Sequence, residues 1–202
     1  MLLSVKTRQE YLKELGYYTG DIDGKVGPLT KKAYKDLQND YFTRDKDKDG
    51  IYGKNTDILL RSAYNFRDIK NFKLTEFRCG CKAKYCTGYP AVVDRNLVRY
   101  MQMMRSNRGK SITVTSGLRC KTHNKKVGGV SNSSHLSGKA ADIYMSVVSD
   151  THNGRVGLVD QWVTAYKDTK YAYCNGYMRY NGKKGFVYNS STMGNACHLN
   201  SK

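Results

Sequence analysis

The chain has 202 residues, enough for one substantial domain and a small companion, and its 39% hydrophobic and 26% charged residues exclude a disordered polymer. With 35 Lys and Arg against 17 Asp and Glu the net charge is +18, which predicts an anionic partner. The basic residues are scattered, with no zinc-finger, RRM-like or helix-turn-helix pattern, so nucleic acid is not expected, and no apolar run is long enough for membrane insertion.

Residues 1–8 carry only a three-residue apolar start, without an h-region or a small-residue cleavage site, so no signal peptide is expected. An internal repeat follows. Asp-Ile-Asp-Gly-Lys-Val-Gly-Pro-Leu-Thr at 21–30 aligns with Asp-Lys-Asp-Gly-Ile-Tyr-Gly-Lys-Asn-Thr at 47–56, so the pattern Asp-x-Asp-Gly-x-x-Gly-x-x-Thr occurs twice. Gly24 and Gly50 admit the positive φ of a tight turn, and Thr30 and Thr56 are suited to cap the helices that follow. Ala33 with Leu37, and Leu59 with Ala63, keep helical spacing, while an earlier helix bearing Leu12 and Leu15 stops at Gly16. These predict a small three-helix bundle.

Leu-Gly-Tyr-Tyr-Thr-Gly at 15–20, the repeated Asp-Gly-x-x-Gly-x-x-Thr and Leu37-Gln38 together resemble the peptidoglycan-binding domain of many cell-wall hydrolases. That resemblance implies a wall-docking module, in which Tyr17, Tyr18 and Tyr52 serve either as groove platforms or as packing residues. Asp45, Asp47, Asp49 and Gly50 also match the opening positions of an EF-hand loop, but Thr56 stands where a bidentate Glu belongs. Solvated turn carboxylates are therefore expected in preference to calcium.

Residues 65–73 are polar and basic and read as a linker. Cys79, Cys81 and Cys86 then form a Cys-x-Cys-x4-Cys group, open between half of a metal knuckle, a disulfide pair and buried thiols. Val93, Leu97, Met101 and Met104 predict an amphipathic helix, residues 112–116 alternate as a strand, and Val159, Trp162, Val163 and Tyr166 predict another helix. Short aromatic strands are expected at 171–173 and 186–188. The fold class is thus α+β: a three-helix bundle over residues 1–66, then residues 67–202 as an α+β domain with a small antiparallel sheet.

The densest chemistry lies at 131–144, Ser-Asn-Ser-Ser-His-Leu-Ser-Gly-Lys-Ala-Ala-Asp-Ile-Tyr. His135 and Asp142 bracket a small-residue turn, so an imidazole and a carboxylate converge as half of a zinc site, the kind that keeps an open position when three protein ligands hold the ion. Upstream, the strand at 112–116 runs into Ser-Gly-Leu-Arg at 116–119, which places the planar fork of Arg119 to grip a carboxylate or a carbonyl oxygen.

Ser-Gly-x-Arg, His-Asn, Gly-Gly-Val and Ser-x-His-x-x-Gly-x-Ala-x-Asp together resemble the zinc D-alanyl-D-alanine carboxypeptidase superfamily, which includes VanY-type carboxypeptidases and phage L-alanyl-D-glutamate endopeptidases. The resemblance implies His135 and Asp142 as ligands of Zn2+, Arg119 as a catalytic and substrate-binding residue, and Ser116 as its neighbour in substrate binding. It also implies a late third ligand, assigned to His198 ahead of His152. A rival alignment sets Tyr188, in Gly-Phe-Val-Tyr-Asn at 185–189, where a ligand belongs. His123 is expected to order its loop.

The family supplies a proton acceptor beside the third ligand, and here Asn195 and Asn200 flank His198, neither able to take a proton, so a carboxylate such as Asp160 would have to reach in. The implied function is a zinc peptidoglycan peptidase cutting a stem-peptide bond, made in the cytoplasm and released as phage lysins are, with peptidoglycan and anionic wall polymer as partners. A zinc-containing wall-binding protein without turnover is the alternative.

Overall fold

The computed structural model describes residues 1–166, 169, 171–180, 183–186 and 193–201. Its helices are α1 (Val5–Glu14), α2 (Pro28–Tyr41), α3 (Lys54–Asn65), α4 (Arg95–Arg108), α5 (Lys121–Lys126) and α6 (His152–Ala165). Its strands are β1 (Ile112–Ser116), β2 (Ala140–Met145), β3 (Tyr171–Cys174), β4 (Tyr177–Tyr180), β5 (Lys183–Phe186) and β6 (Cys197–Asn200). No helix among the described residues is long and apolar enough to cross a membrane.

The repeat has a physical cause that only the structure reveals. Gln9, buried on α1, sends Nε2 to Asp23 Oδ1 (2.8 Å), the Lys25 carbonyl (3.0 Å) and Thr30 Oγ1 (3.3 Å), while its Oε1 accepts from the Gly24 N–H (2.8 Å). Gln38 on α2 does the same in the second copy, to Asp49 Oδ1, the Ile51 carbonyl and Thr56 Oγ1 (each 3.0 Å), and it accepts from the Gly50 N–H (2.7 Å). Each amide plugs the loop that follows its own helix, and Gly24 and Gly50 take φ of 73° and 72° to turn an N–H toward it.

Thr30 and Thr56 are therefore not caps. Gly27 and Gly53 occupy the N-cap positions, and the two threonines lie in the first helical turn, donating back to the Lys25 and Ile51 carbonyls (3.3 and 3.1 Å). The acidic loop is likewise spent on protein: Arg44 pairs with Asp47 (2.6 Å) and Lys48 with Asp45 (3.1 Å), and neither Asp45 nor Asp47 joins a cluster of metal-ligand type among the described residues. Tyr18 is core, with its hydroxyl on the Asp21 carbonyl (2.7 Å), and Tyr17 bonds Asp40 (2.6 Å). Tyr52 alone of the three lines an open groove, with the Arg8 guanidinium 3.9 Å above its ring.

The expected linker is packed rather than free. Phe66 and Phe72 are buried, Arg67 pairs with Glu14 (2.8 Å), Arg95 pairs with Asp68 (2.6 Å), and the Asn65 amide donates to the Val93 carbonyl (2.8 Å). The polar residues between the two aromatics face outward and hide this role in the sequence.

The sheet runs in the order β1-β2-β6-β3-β4-β5, antiparallel throughout. One face carries Ala141, Ile143, Cys197, Leu199, Ala172 and Cys174, all fully buried, and α6 packs on the sheet through Leu158, Val159 and Trp162. Trp162 donates its indole N–H to the Asn200 carbonyl (2.9 Å), which fixes α6 against β6. Large apolar side chains buried this way stabilise by roughly 1.5–3 kcal/mol each. Residues of the opposite parity, Asp142, His198 and Tyr173, point to the other face.

Replacing Gln38 by Ala removes four hydrogen bonds and leaves buried polar partners unmatched, so Gln38→Ala is expected to destabilise the protein by about 2–4 kcal/mol. Urea unfolding checks this, with Lys46→Ala, exposed on the same loop, expected to shift stability by under about 0.5 kcal/mol.

Candidate metal centre

Strand register brings the site together. Ser116 on β1 lies opposite Asp142 on β2, Asp142 lies opposite His198 on β6, and His198 lies opposite Tyr173 on β3, so one rung crosses four strands. A residue shift in any of these pairings would turn its side chain to the helix-packed face.

His135 arrives over this rung from the 3-10 turn Ser134–Ser137. Gly138 closes the turn at φ 74°, and a Cβ there would sit 2.0 Å from the Val92 carbonyl oxygen, which is why a glycine occupies the position. The backbone of Gly117 is equally confined: a Cβ would fall 2.6 Å from Phe77 Cα. The Gly117 carbonyl sits 2.6 Å from His135 Nδ1. A carbonyl only accepts, so Nδ1 carries the hydrogen and, in the neutral ring, Nε2 presents its lone pair.

Nε2 of His135 faces Asp142 Oδ1 at 3.2 Å, and His198 Nδ1 faces the same oxygen at 2.8 Å. The three ligand atoms lie within 4.8 Å of one another. Tetrahedral zinc with bonds near 2.0–2.1 Å separates its ligand atoms by about 3.3 Å, so the cluster has the dimensions of such a centre. His135 and His198 are 1% and 3% exposed, and His198 Nε2 has no hydrogen-bond partner among the described residues. Two imidazoles turned on one buried carboxylate oxygen form a donor set that a shared cation satisfies, and the set fits zinc.

Arg119 completes the arrangement from outside. Its Nη2 donates to Asp142 Oδ2 (2.5 Å), its Nε to Ser116 Oγ (2.9 Å), and its backbone N–H to the His135 carbonyl (3.1 Å). Burial alone would raise the Asp142 carboxyl, but its contacts with the His135 and His198 rings hold it well below the usual carboxylate range. Burial pushes the His198 imidazole down, against the pull of Asp142.

These residues open on a cleft of about 620 Å³ whose walls also include His123, Tyr144, Tyr171, Tyr173 and Asn195. Tyr171 and Tyr173 stack on the His198 ring, at 5.5 and 4.6 Å between centroids. The Tyr-Ala-Tyr alternation at 171–173 is the period-2 signal that sets both on the His198 face, a pairing that needs the register to be recognised. Asn195 accepts from Arg155 (3.1 Å), and Asn200 is buried, accepting from Thr169 Oγ1 (2.7 Å). Asp160 does not reach the cleft; it holds Tyr177 (2.7 Å) and Arg179 (2.8 Å). His152 starts α6 and is exposed, and Tyr188 lies outside the described residues.

The Peptidase M15 family model matches residues 70–171, and the model of a putative peptidoglycan binding domain matches residues 3–56. The zinc D-Ala-D-Ala carboxypeptidase of Streptomyces albus G is 36% identical over 132 residues, covering 60% of this chain and 49% of that protein. The chain thus spans about half the length of that curated relative.

A histidine with a depressed folded pKa contributes stability that is present above its unfolded value, about 6.5, and lost as pH falls below it. The depressed Asp142 carboxyl adds a contribution present above about 3.9 and lost further into acid. The urea midpoint of metal-free protein is therefore expected to fall from about pH 7 to about pH 5, and again below about pH 4. His198→Gln flattens the upper limb; an unchanged slope in that variant would contradict the assignment.

Proposed function

The chain belongs to the Peptidase M15 family, and from that premise we propose that it is a zinc peptidase hydrolysing a stem-peptide bond of bacterial peptidoglycan while its N-terminal module, residues 1–66, docks on the wall. The observation that carries this reading is the rung of Asp142 and His198 with His135 folded over it, three lone-pair donors on one wall of a peptide-sized cleft. The similarity to the zinc D-Ala-D-Ala carboxypeptidase of Streptomyces albus G supports the same chemistry.

When bound, zinc supplies Lewis-acid polarisation of a carbonyl oxygen and a lowered pKa for water. The chain's own groups do the rest. The Gly117 carbonyl fixes the His135 tautomer, the Tyr171 and Tyr173 rings hold the His198 plane, and Arg119 keeps Asp142 ionised and oriented. Arg119 lines the cleft with Nη1 uncommitted among the described residues, ready for a substrate carbonyl or carboxylate, and Ser116 holds its Nε. Hydrolysis adds water across the C–N bond, one proton passing to the leaving amine. Asn195 stands at the cleft wall where a proton acceptor would serve, and an amide cannot act as one.

The +18 charge favours a wall rich in anionic polymer, and docking by the first module raises local substrate concentration without new contacts at the reacting bond. The groove beside Tyr52, lined by Arg8, Lys31, Lys32 and Lys35, is the surface of that module best suited to the task.

One observation favours a second reading, a zinc-containing wall binder without turnover: Asp142 is the only carboxylate among the described cleft residues. Isolated walls incubated with zinc-loaded protein discriminate. Released D-alanine or new amino termini, abolished in His135→Ala together with the zinc held by His135, Asp142 and His198, support the peptidase; wall binding without product across pH supports the binder. Asn195→Asp is expected to raise kcat about 10²-fold by restoring a proton acceptor.

A further inference from the structure

Four of the six cysteines meet at one point remote in sequence from the His-Asp-His cluster. Cys79, Cys81, Cys86 and Cys120 bring their sulfurs within 4.8 Å of one another, with Cys81 and Cys86 at 3.5 Å, and none of the four is in a disulfide. Tetrahedral zinc with Zn–S bonds near 2.3 Å separates its sulfurs by about 3.8 Å. Cys120 is 34 residues beyond Cys86, so the fourth thiol is supplied by folding and not by a local motif.

The surroundings are those of thiolates. The Cys120 N–H donates to Cys79 Sγ (3.3 Å), the Gly88 N–H to Cys86 Sγ (3.4 Å), and the His123 N–H to Cys120 Sγ (3.4 Å). Backbone N–H groups aimed at sulfur are the second shell by which a metal-thiolate centre spreads its charge. Arg44 lies close enough to feel the charge of Cys86 and Cys81.

The chain between these cysteines needs an anchor. Residues 78–94 contain no helix or strand, and Lys82 and Ala83 take consecutive positive φ of 50° and 61°, a strained backbone for residues with a Cβ. Backbone–backbone bonds hold this stretch at its ends, Arg78 N–H to the Thr75 carbonyl (3.3 Å) and Asp94 N–H to the Gly138 carbonyl (2.9 Å), and between them, among the described residues, at Cys79 to Gly88 (2.8 Å) and within the 79–84 turns.

We propose that Cys79, Cys81, Cys86 and Cys120 hold a second, structural zinc ion in a closed four-sulfur site. Each thiol loses its proton to solvent as its zinc-sulfur bond forms, leaving no position for water and no catalytic role. The ion fastens the 79–88 loop to the segment that follows Arg119, where Leu118 N–H already meets the Phe77 carbonyl (2.9 Å). It thereby holds Arg119 and the Gly117 carbonyl over the cleft. The loop also receives Arg44 from the first module, on the Ala83 carbonyl (3.3 Å), and Arg78 reaches the Tyr41 carbonyl (2.6 Å), so the same knot braces the junction of the two halves.

The test is metal stoichiometry on the full-length protein, purified reduced from zinc-supplemented medium. About two zinc per chain are expected in the native protein, about one in His135→Ala, and about one in the double variant Cys81→Ser with Cys86→Ser. Cobalt exchanged into native protein and into His135→Ala is expected to give an intense near-ultraviolet sulfur-to-cobalt band, which decides the matter even if the cysteine variant fails to fold. No zinc in His135→Ala, iron in place of zinc, or an intact mass lower by about two hydrogens per cysteine pair with no free thiol, would overturn the proposal. Because His135→Ala retains this ion while losing the other, failure here is distinct from failure of the peptidase reading.

Discussion

Everything in the second half of the molecule turns on the Asp142 carboxylate. One oxygen faces both imidazoles and the other takes the Arg119 guanidinium, so a single buried group sets the aim of three others. A carboxylate in that position is costly unless positive charge surrounds it. The chain provides one permanent cation, Arg119, and two rings poised to bind another. Antiparallel pairing makes the arrangement rigid, because Asp142 and His198 are fixed opposite one another by the backbone before any side chain contributes.

Around this group the supporting residues act through backbone, not through side-chain chemistry. Gly117 matters for its carbonyl and for the space it leaves beside Phe77, and Gly138 for a turn that lets His135 come down over the sheet. Gly129 belongs to the same class: a Cβ there would lie 2.2 Å from Asn124 Oδ1, and Asn124 holds the loop by donating to the Val130 carbonyl (2.9 Å). The His-Asn and Gly-Gly-Val segments are thus the scaffold of the cleft wall.

What was legible in the sequence divides along this line. Apolar periodicity located α1 to α4 and α6, residue chemistry singled out His135, Asp142 and Arg119, and the family resemblance added His198 and Ser116, all of which the structure brings together. Contacts that depend on register were not legible: Tyr173 against His198, and Cys120 among the other thiols, have no local signature. The threonines of the repeat misled for a related reason. Thr-x-x-x before a helix suggests a cap, but a buried glutamine from the preceding helix had already claimed the loop, and the hydroxyl was needed there.

The two halves of the chain solve one problem in different ways. The first is small, and its loops are held by Gln9 and Gln38, which satisfy five and four polar groups respectively from within the core. The second has a larger core behind the sheet, yet the front of that sheet is a polar cleft that contributes little burial and must still be stiff to sub-ångström tolerance. Ion-pairing through Asp142 stiffens its centre. Its upper wall, residues 117–120, adjoins an irregular loop, and four sulfurs converge there and nowhere else among the described residues. A cross-link at that place would do for the second half what the buried glutamines do for the first: make a loop behave as part of the core.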